Sequence, residues 1–124
     1  MKRTILVTGL FLILSLVTFA QNIETGQFRA NYETPGWNLH KGSGDRSFNI
    51  NIRFTKEFTN PPEIVLGVTT IEAPATNEDG KPDIIRYDVI PTIVTKELMV
   101  LKVTVWAESR LLNIAGYWMA VEQP

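Results

Sequence analysis

Residues 48–54 read Phe-Asn-Ile-Asn-Ile-Arg-Phe. Phe48, Ile50, Ile52 and Phe54 alternate with Asn49, Asn51 and Arg53. Successive side chains of a strand point to opposite faces, so this period of two describes a half-buried strand, apolar on one side and polar on the other. The same texture extends outward from it. Met99, Leu101, Val103 and Val105 alternate with Val100, Lys102 and Thr104. Glu63–Ile71 reads EIVLGVTTI, Ile84–Ile90 reads IIRYDVI, and Ile114–Val121 reads IAGYWMAV. Gly26–Tyr32 is a weaker candidate near the start. Turn residues separate these runs: Pro35-Gly36, Gly42-Ser43-Gly44-Asp45, Asn60-Pro61-Pro62, and the polar stretch from Pro74 to Pro82. No long segment carries a helical period. Six short strands punctuated by turns predict an all-β fold, a six-stranded β-sandwich.

Length and composition set bounds on function. The chain has 124 residues, which is room for one domain, and 44% apolar against 20% charged residues is ordinary globular composition. A formal net charge of −1 argues against a nucleic-acid binder that works through phosphate contacts. There is no cysteine. That excludes a disulfide framework, a zinc–cysteine site, a thiol nucleophile and an acyl-cysteine anchor. The single histidine, His40, would have to carry alone any triad or histidine metal site. It lies beside Lys41 in a Gly/Ser-rich loop and reads as an exposed loop residue.

Residues 1–20 read as a secretory signal peptide. Lys2 and Arg3 form a positive start, Ile5–Phe19 is mostly apolar, and Thr18-Phe19-Ala20 places small residues at −3 and −1 of a cut before Gln21. The apolar run is shorter than the roughly 20 residues that span a bilayer. The expected organisation is therefore a signal peptide at 1–20 and a single domain at 21–124, exported and not inserted in a membrane.

Few residues carry chemistry. Arg86, within Ile84-Ile85-Arg86-Tyr87, reads either as the outward member of an alternating strand or as a guanidinium donating to an oxygen-rich ligand. Trp106 closes the strand Val103-Thr104-Val105 and points away from the face of Val105. It reads either as an exposed platform for the CH face of a sugar or as a packing residue at the sandwich edge. Trp118, inside an apolar run, reads as core. Trp37, after the Pro35-Gly36 turn, reads as a cover over one end of the sandwich. Asn77-Glu78-Asp79-Gly80-Lys81-Pro82-Asp83 only faintly resembles a calcium loop, because the acidic residue needed past the glycine is missing. Glycoside hydrolysis needs two carboxylates at a fixed separation, and nothing local marks an acid among Asp45, Asp83, Asp88 and Glu108.

Several of these features occur together, in order. Thr25-Gly26-Gln27-Phe28 and Gly36-Trp37 open the pattern. Arg46, Ile52-x-Phe54, Phe58, Pro61-Pro62-x-Ile64 and Val65 follow, then Arg86 and Val94-Thr95, then Trp106-x-x-x-Arg110 and Tyr117-Trp118-Met119-Ala120. This resembles the H-type lectin domain, known from snail agglutinins and slime-mould discoidins. The resemblance implies an antiparallel six-stranded sandwich, and a homotrimer with sugar sites at the junctions between chains. It further implies binding of galactose or N-acetylgalactosamine glycans with no metal or cofactor, and no catalysis. The family's binding arginine falls on Arg86 and its strand-end aromatic on Trp106. Where the family has a sugar-contacting histidine this chain has Ala107, and the family's wall tyrosine aligns with Leu112. The nearest match to the family's acidic residue is Asp45, with Ser43 at the ungapped position. Asp45, Arg86, Trp106 and Leu112 are therefore the expected carbohydrate-binding residues. The alternative reading is a structural or assembly sandwich that has lost sugar binding with the histidine and tyrosine.

Overall fold

The computed structural model describes residues 21–76, 79–82 and 84–124. Six strands follow in chain order: β1 (Ile23–Asn31), β2 (Arg46–Arg53), β3 (Glu63–Glu72), β4 (Tyr87–Val94), β5 (Leu98–Val105) and β6 (Asn113–Val121). No helix occurs among the described residues. The strands form two three-stranded sheets, ordered β1-β6-β3 and β2-β5-β4, and every pairing is antiparallel. The expected all-β antiparallel sandwich is thus the observed fold. Two strands depart most from expectation. The first starts at Ile23 rather than Gly26, and the fourth runs Tyr87–Val94 rather than Ile84–Ile90. The signal-peptide reading falls on residues 1–20, outside the described residues.

Each sheet is built on a central strand, and alternation decides what it buries. Met99, Leu101, Val103 and Val105 of β5 are all fully buried. Burying such side chains stabilises by about 1.5–3 kcal/mol each relative to leaving them in water. On β6 the inward row is Ile114, Gly116, Trp118 and Ala120, all buried. Phe48, Ile50 and Ile52 of β2 pack against this core, as their spacing requires. Phe54 joins it through rings, 5.0 Å edge-on from Phe58 and 5.9 Å from Trp118. Trp37 corrects its expectation. It is a core residue rather than a lid, with its ring 5.2 Å from Phe48 and its indole N–H donating to the Leu111 carbonyl at 3.0 Å.

Two glycines let aromatic rings lie flat on the β1–β6 ladder. Phe28 pairs with Gly116, and Gly26 pairs with Trp118. A methyl on Gly116 would run into the Gly67 carbonyl oxygen and come within 2.6 Å of Phe28 Cζ, and one on Gly26 would meet the Trp118 ring at 2.6 Å. Each ring takes the space that its partner's missing side chain leaves. The edge strands β3 and β4 carry irregularities at Val68/Thr70 and Pro91/Ile93. Such bulges spoil a flat edge that another strand could extend.

The end of the sandwich at the C-terminus of β6 is closed by Glu122. Its Oε1 accepts from Thr59 N–H at 2.8 Å and its Oε2 from Asn22 Nδ2 at 2.6 Å. These bonds, the Thr59 backbone bond first, hold its pKa below the ordinary carboxylate value. A depressed pKa means stability that is present above the unfolded-state value and lost as pH falls through the folded one.

Two outcomes follow from this packing. Gly116→Ala should cost about 1–3 kcal/mol in urea unfolding, the range for overpacking, whereas Gly67→Ala, with open space around its Cβ, should be close to neutral. Glu122→Gln should lower the melting temperature at pH 7, and the gap to the parent should shrink as pH falls out of the ordinary carboxylate range and through the lowered pKa of the folded state.

Candidate functional site

The last register rung of the β2-β5-β4 sheet is Arg46, Val105 and Tyr87. One residue beyond it lie Asp45, Trp106 and Arg86, side by side on the three strand ends. Val105 is buried and the Arg46 and Tyr87 side chains are half-buried, so one step further the chain phase turns outward. Asp45 and Arg86 are indeed exposed, and Trp106 is 37% exposed. With neighbouring strands about 4.8 Å apart, a carboxylate, an indole and a guanidinium stand in one row with the ring in the middle. Neither the Asp45 nor the Arg86 side chain is engaged by a hydrogen bond or ion pair among the described residues.

Leu112 is placed differently. It precedes β6, on the other sheet, donating its N–H to the Glu72 carbonyl at 2.8 Å while its own carbonyl accepts from Tyr32 N–H at 2.9 Å. The structure therefore brings Asp45, Trp106 and Arg86 to one sheet end. It sets Leu112 six residues past Trp106 along the segment that crosses to the second sheet.

That crossing segment, Trp106–Leu112, is tied on every side. Arg46 lies two residues before Phe48, on the core-facing phase of β2, and its guanidinium reaches over the rim of the core. It donates to the carbonyls of Gly44 (Nε, 3.0 Å), Lys41 (Nη1, 2.7 Å), Ala107 (Nη2, 3.2 Å) and Ser109 (Nη2, 2.6 Å). Gly44 N–H adds a bond to the Ala107 carbonyl at 2.9 Å. Leu111 N–H donates to Leu39 at 2.8 Å. On the far side Arg110 Nη2 donates to the Thr76 carbonyl at 2.5 Å, holding the long loop whose ends pair at Thr76 and Pro82. Ala107 has a left-handed backbone, φ 57°, which costs a non-glycine residue roughly 1–2 kcal/mol.

Sequence reasoning left the anchoring roles of Arg46, Ser109 and Arg110 unread. The Arg46 signal was present, since it continues the inward row of Phe48, Ile50 and Ile52 by one step. Ser109 and Arg110 carry no periodic signal. His40, expected as exposed, is half-buried with Nδ1 shielded and without a partner. The calcium-like loop falls partly on Asn77, Glu78 and Asp83, outside the described residues. Elsewhere among the described residues no three His, Asp or Glu side chains are gathered to hold a metal ion. Asp45 and Asp88 belong to the strands on opposite sides of β5.

The strand ends of this all-β sandwich thus present an acceptor, a ring and a donor to solvent, an arrangement suited to binding. A family model of the H-type lectin domain matches residues 49–121, more than half of the chain, and the chain belongs to that family. It is a carbohydrate-binding lectin domain. Its fold is similar to two structures of discoidin II from Dictyostelium discoideum. The wild-type structure aligns with TM-score 0.70 and 18% identity, over 85% of this chain and 38% of that one. The recombinant native structure aligns with TM-score 0.68 and 19% identity, over 82% and 37%. The chain thus matches well under half the length of discoidin II, and at this identity the likeness speaks for the fold. No curated protein sequence matches the chain.

The clamp has a measurable role. Arg46→Ala should cost about 2–4 kcal/mol in chemical unfolding, because charge-assisted bonds to four carbonyls are lost together. Arg46→Lys should recover only part of this, because an ammonium lacks the planar fork that serves four acceptors at once.

Proposed function

We propose that this chain is a secreted lectin that binds galactose-series glycans, with N-acetylgalactosamine as the reference ligand, and that it acts as a homotrimer. The observation that carries the reading is the row Asp45–Trp106–Arg86. A pyranose offers an apolar CH face and a rim of hydroxyls. Trp106 supplies a ring for the face, Asp45 accepts from hydroxyls, and Arg86 donates to hydroxyl or acetamide oxygens. Leu112, which the family resemblance would add to the apolar wall, lies apart from this row on the segment that crosses to the second sheet. No step needs a metal.

The trimer reading is supported by the outer face of the β1-β6-β3 sheet. Tyr117 is 54% exposed and Val65 50% exposed, and with Thr25, Gln27, Gly67 and Met119 they line an open groove of about 440 Å³. An apolar surface of this kind is what a second copy covers. A single shallow sugar site binds weakly. Several sites on one rigid oligomer gain avidity on a glycan-coated surface without any new contact. Secretion rests on the signal-like residues 1–20.

Recombinant Gln21–Pro124 should scatter light with about three times the monomer mass, and should bind galactose-series sugars with or without excess chelator. Arg86→Ala and Trp106→Ala should each weaken binding at least tenfold, about 1.4 kcal/mol, while changing stability by less than about 0.5–1 kcal/mol, as exposed substitutions do. Binding as tight as the parent's would remove that residue from the site. A fold that fails in both variants, with no sugar bound by the parent, would favour the structural module.

A further inference from the structure

We propose that Ser109 is the positioning residue of the sugar site: its buried hydroxyl sets the placement of Arg86 against Trp106. The inference rests on the site reading above and deepens it. Ser109 is the one fully buried polar residue among the described residues, at 0% exposure. Its Oγ donates to the Ile84 carbonyl at 2.9 Å and accepts from Arg86 N–H at 2.7 Å. Its own N–H donates to the Trp106 carbonyl at 3.3 Å, and its carbonyl accepts from Arg46 Nη2 at 2.6 Å. One residue therefore touches the main chain of both Arg86 and Trp106, and the side chain of the residue that follows Asp45.

The ladder alone does not fix this geometry. Beyond the last β4–β5 rung, Trp106 N–H reaches the Arg86 carbonyl at 3.4 Å, longer than the 2.8–2.9 Å of the neighbouring loop bonds that involve Leu112, Leu111 and Gly44. A bond at that distance weakly constrains the two main chains. The Ser109 hydroxyl bonds to Ile84 and Arg86 are short and made by a fully buried side chain, where a hydroxyl bond is worth most and its loss leaves two main-chain groups without a partner. The Ser109 N–H bond to Trp106, at 3.3 Å, is long, so Trp106 is joined to this anchor mainly through the covalent segment 106–109 that Arg46 also holds. Residues 84–86 lie outside the strand, after the long Pro74–Pro82 loop, and the Ser109 hydroxyl ties them to the crossing segment. A guanidinium and a ring that must meet opposite parts of one small ligand tolerate displacements of only about 0.5 Å. The support beneath them therefore governs affinity.

The test compares four proteins by calorimetry with N-acetylgalactosamine, at a temperature where all are folded by circular dichroism: the parent, Arg86→Ala, Ser109→Ala and Met99→Ala. Met99 is fully buried at the opposite end of β5, so its variant is destabilised without touching the site. Ser109→Ala should bind at least about tenfold more weakly, and Met99→Ala should bind like the parent. Should Ser109→Ala not fold, Ser109→Cys, which keeps the volume but hydrogen-bonds weakly, should show the same loss. If Arg86→Ala loses binding and the Ser109 variant does not, Ser109 is a structural residue only and the site reading stands. If Met99→Ala weakens binding as much as Ser109→Ala, the effect is general loosening and the proposal fails. If the parent does not bind, or Arg86→Ala binds as the parent does, the site reading fails and this inference with it.

Discussion

The end of the sandwich that carries the Asp45–Trp106–Arg86 row depends on one guanidinium. Arg46 sits where the inward row of β2 runs out of core, and a charged group there must either reach water or find acceptors. It finds four main-chain carbonyls on two loops that the chain order keeps far apart, Lys41–Gly44 and Ala107–Ser109. Helices and sheets satisfy their own carbonyls. Loops at a sandwich end cannot, and a planar fork of five N–H donors is well suited to collect them. Asp45 precedes this residue and Trp106 precedes the loop it holds, so this arginine decides where both of those exposed groups stand.

Most of the fold was legible because a sandwich core is a statement about alternation. β2 and β5 read directly, since every second residue is large and apolar, and a register slip by one would turn the whole row outward. Boundaries were less legible. Ile84 and Ile85 look like strand, yet Ile84 is 63% exposed and its carbonyl bonds a serine rather than a neighbouring strand. Trp37 could not be placed from its turn, because its burial depends on Phe48 and Leu111, distant in sequence. In the candidate site, Arg86 and Trp106 were singled out through family resemblance. Their adjacency has a simple cause that pairing makes visible: each stands one residue past a rung that joins β4 and β5. Ser109 was invisible because its importance lies in what it touches, not in any pattern around it.

The division of labour between the two sheets follows from their outer faces. The β2-β5-β4 sheet shows Ser47, Asn49, Asn51, Lys102 and Thr104, with the exposed Ile90 and Ile93 along its β4 edge, and ends in the polar row. The β1-β6-β3 sheet shows Tyr117, Val65 and Met119 around a glycine floor. A single chain thus presents one face with hydrogen-bonding capacity and another with apolar area. Both are carried on the same rigid core, so neither surface needs to reorganise to be used, which keeps the entropic cost of ordering low.

The left-handed backbone at Ala107 acts as a filter on how this site can diversify. The positive φ is held by Gly44 N–H and Arg46 on the Ala107 carbonyl, so a substitution must accept it. Valine, isoleucine and threonine are poorly tolerated there, while glycine, asparagine, aspartate and histidine adopt it readily. Those permitted residues include three with side chains able to exchange hydrogen bonds with a sugar. The backbone at this position therefore keeps open a short mutational path between a plain apolar rim and a polar one, and closes the paths that would fill the rim with branched bulk.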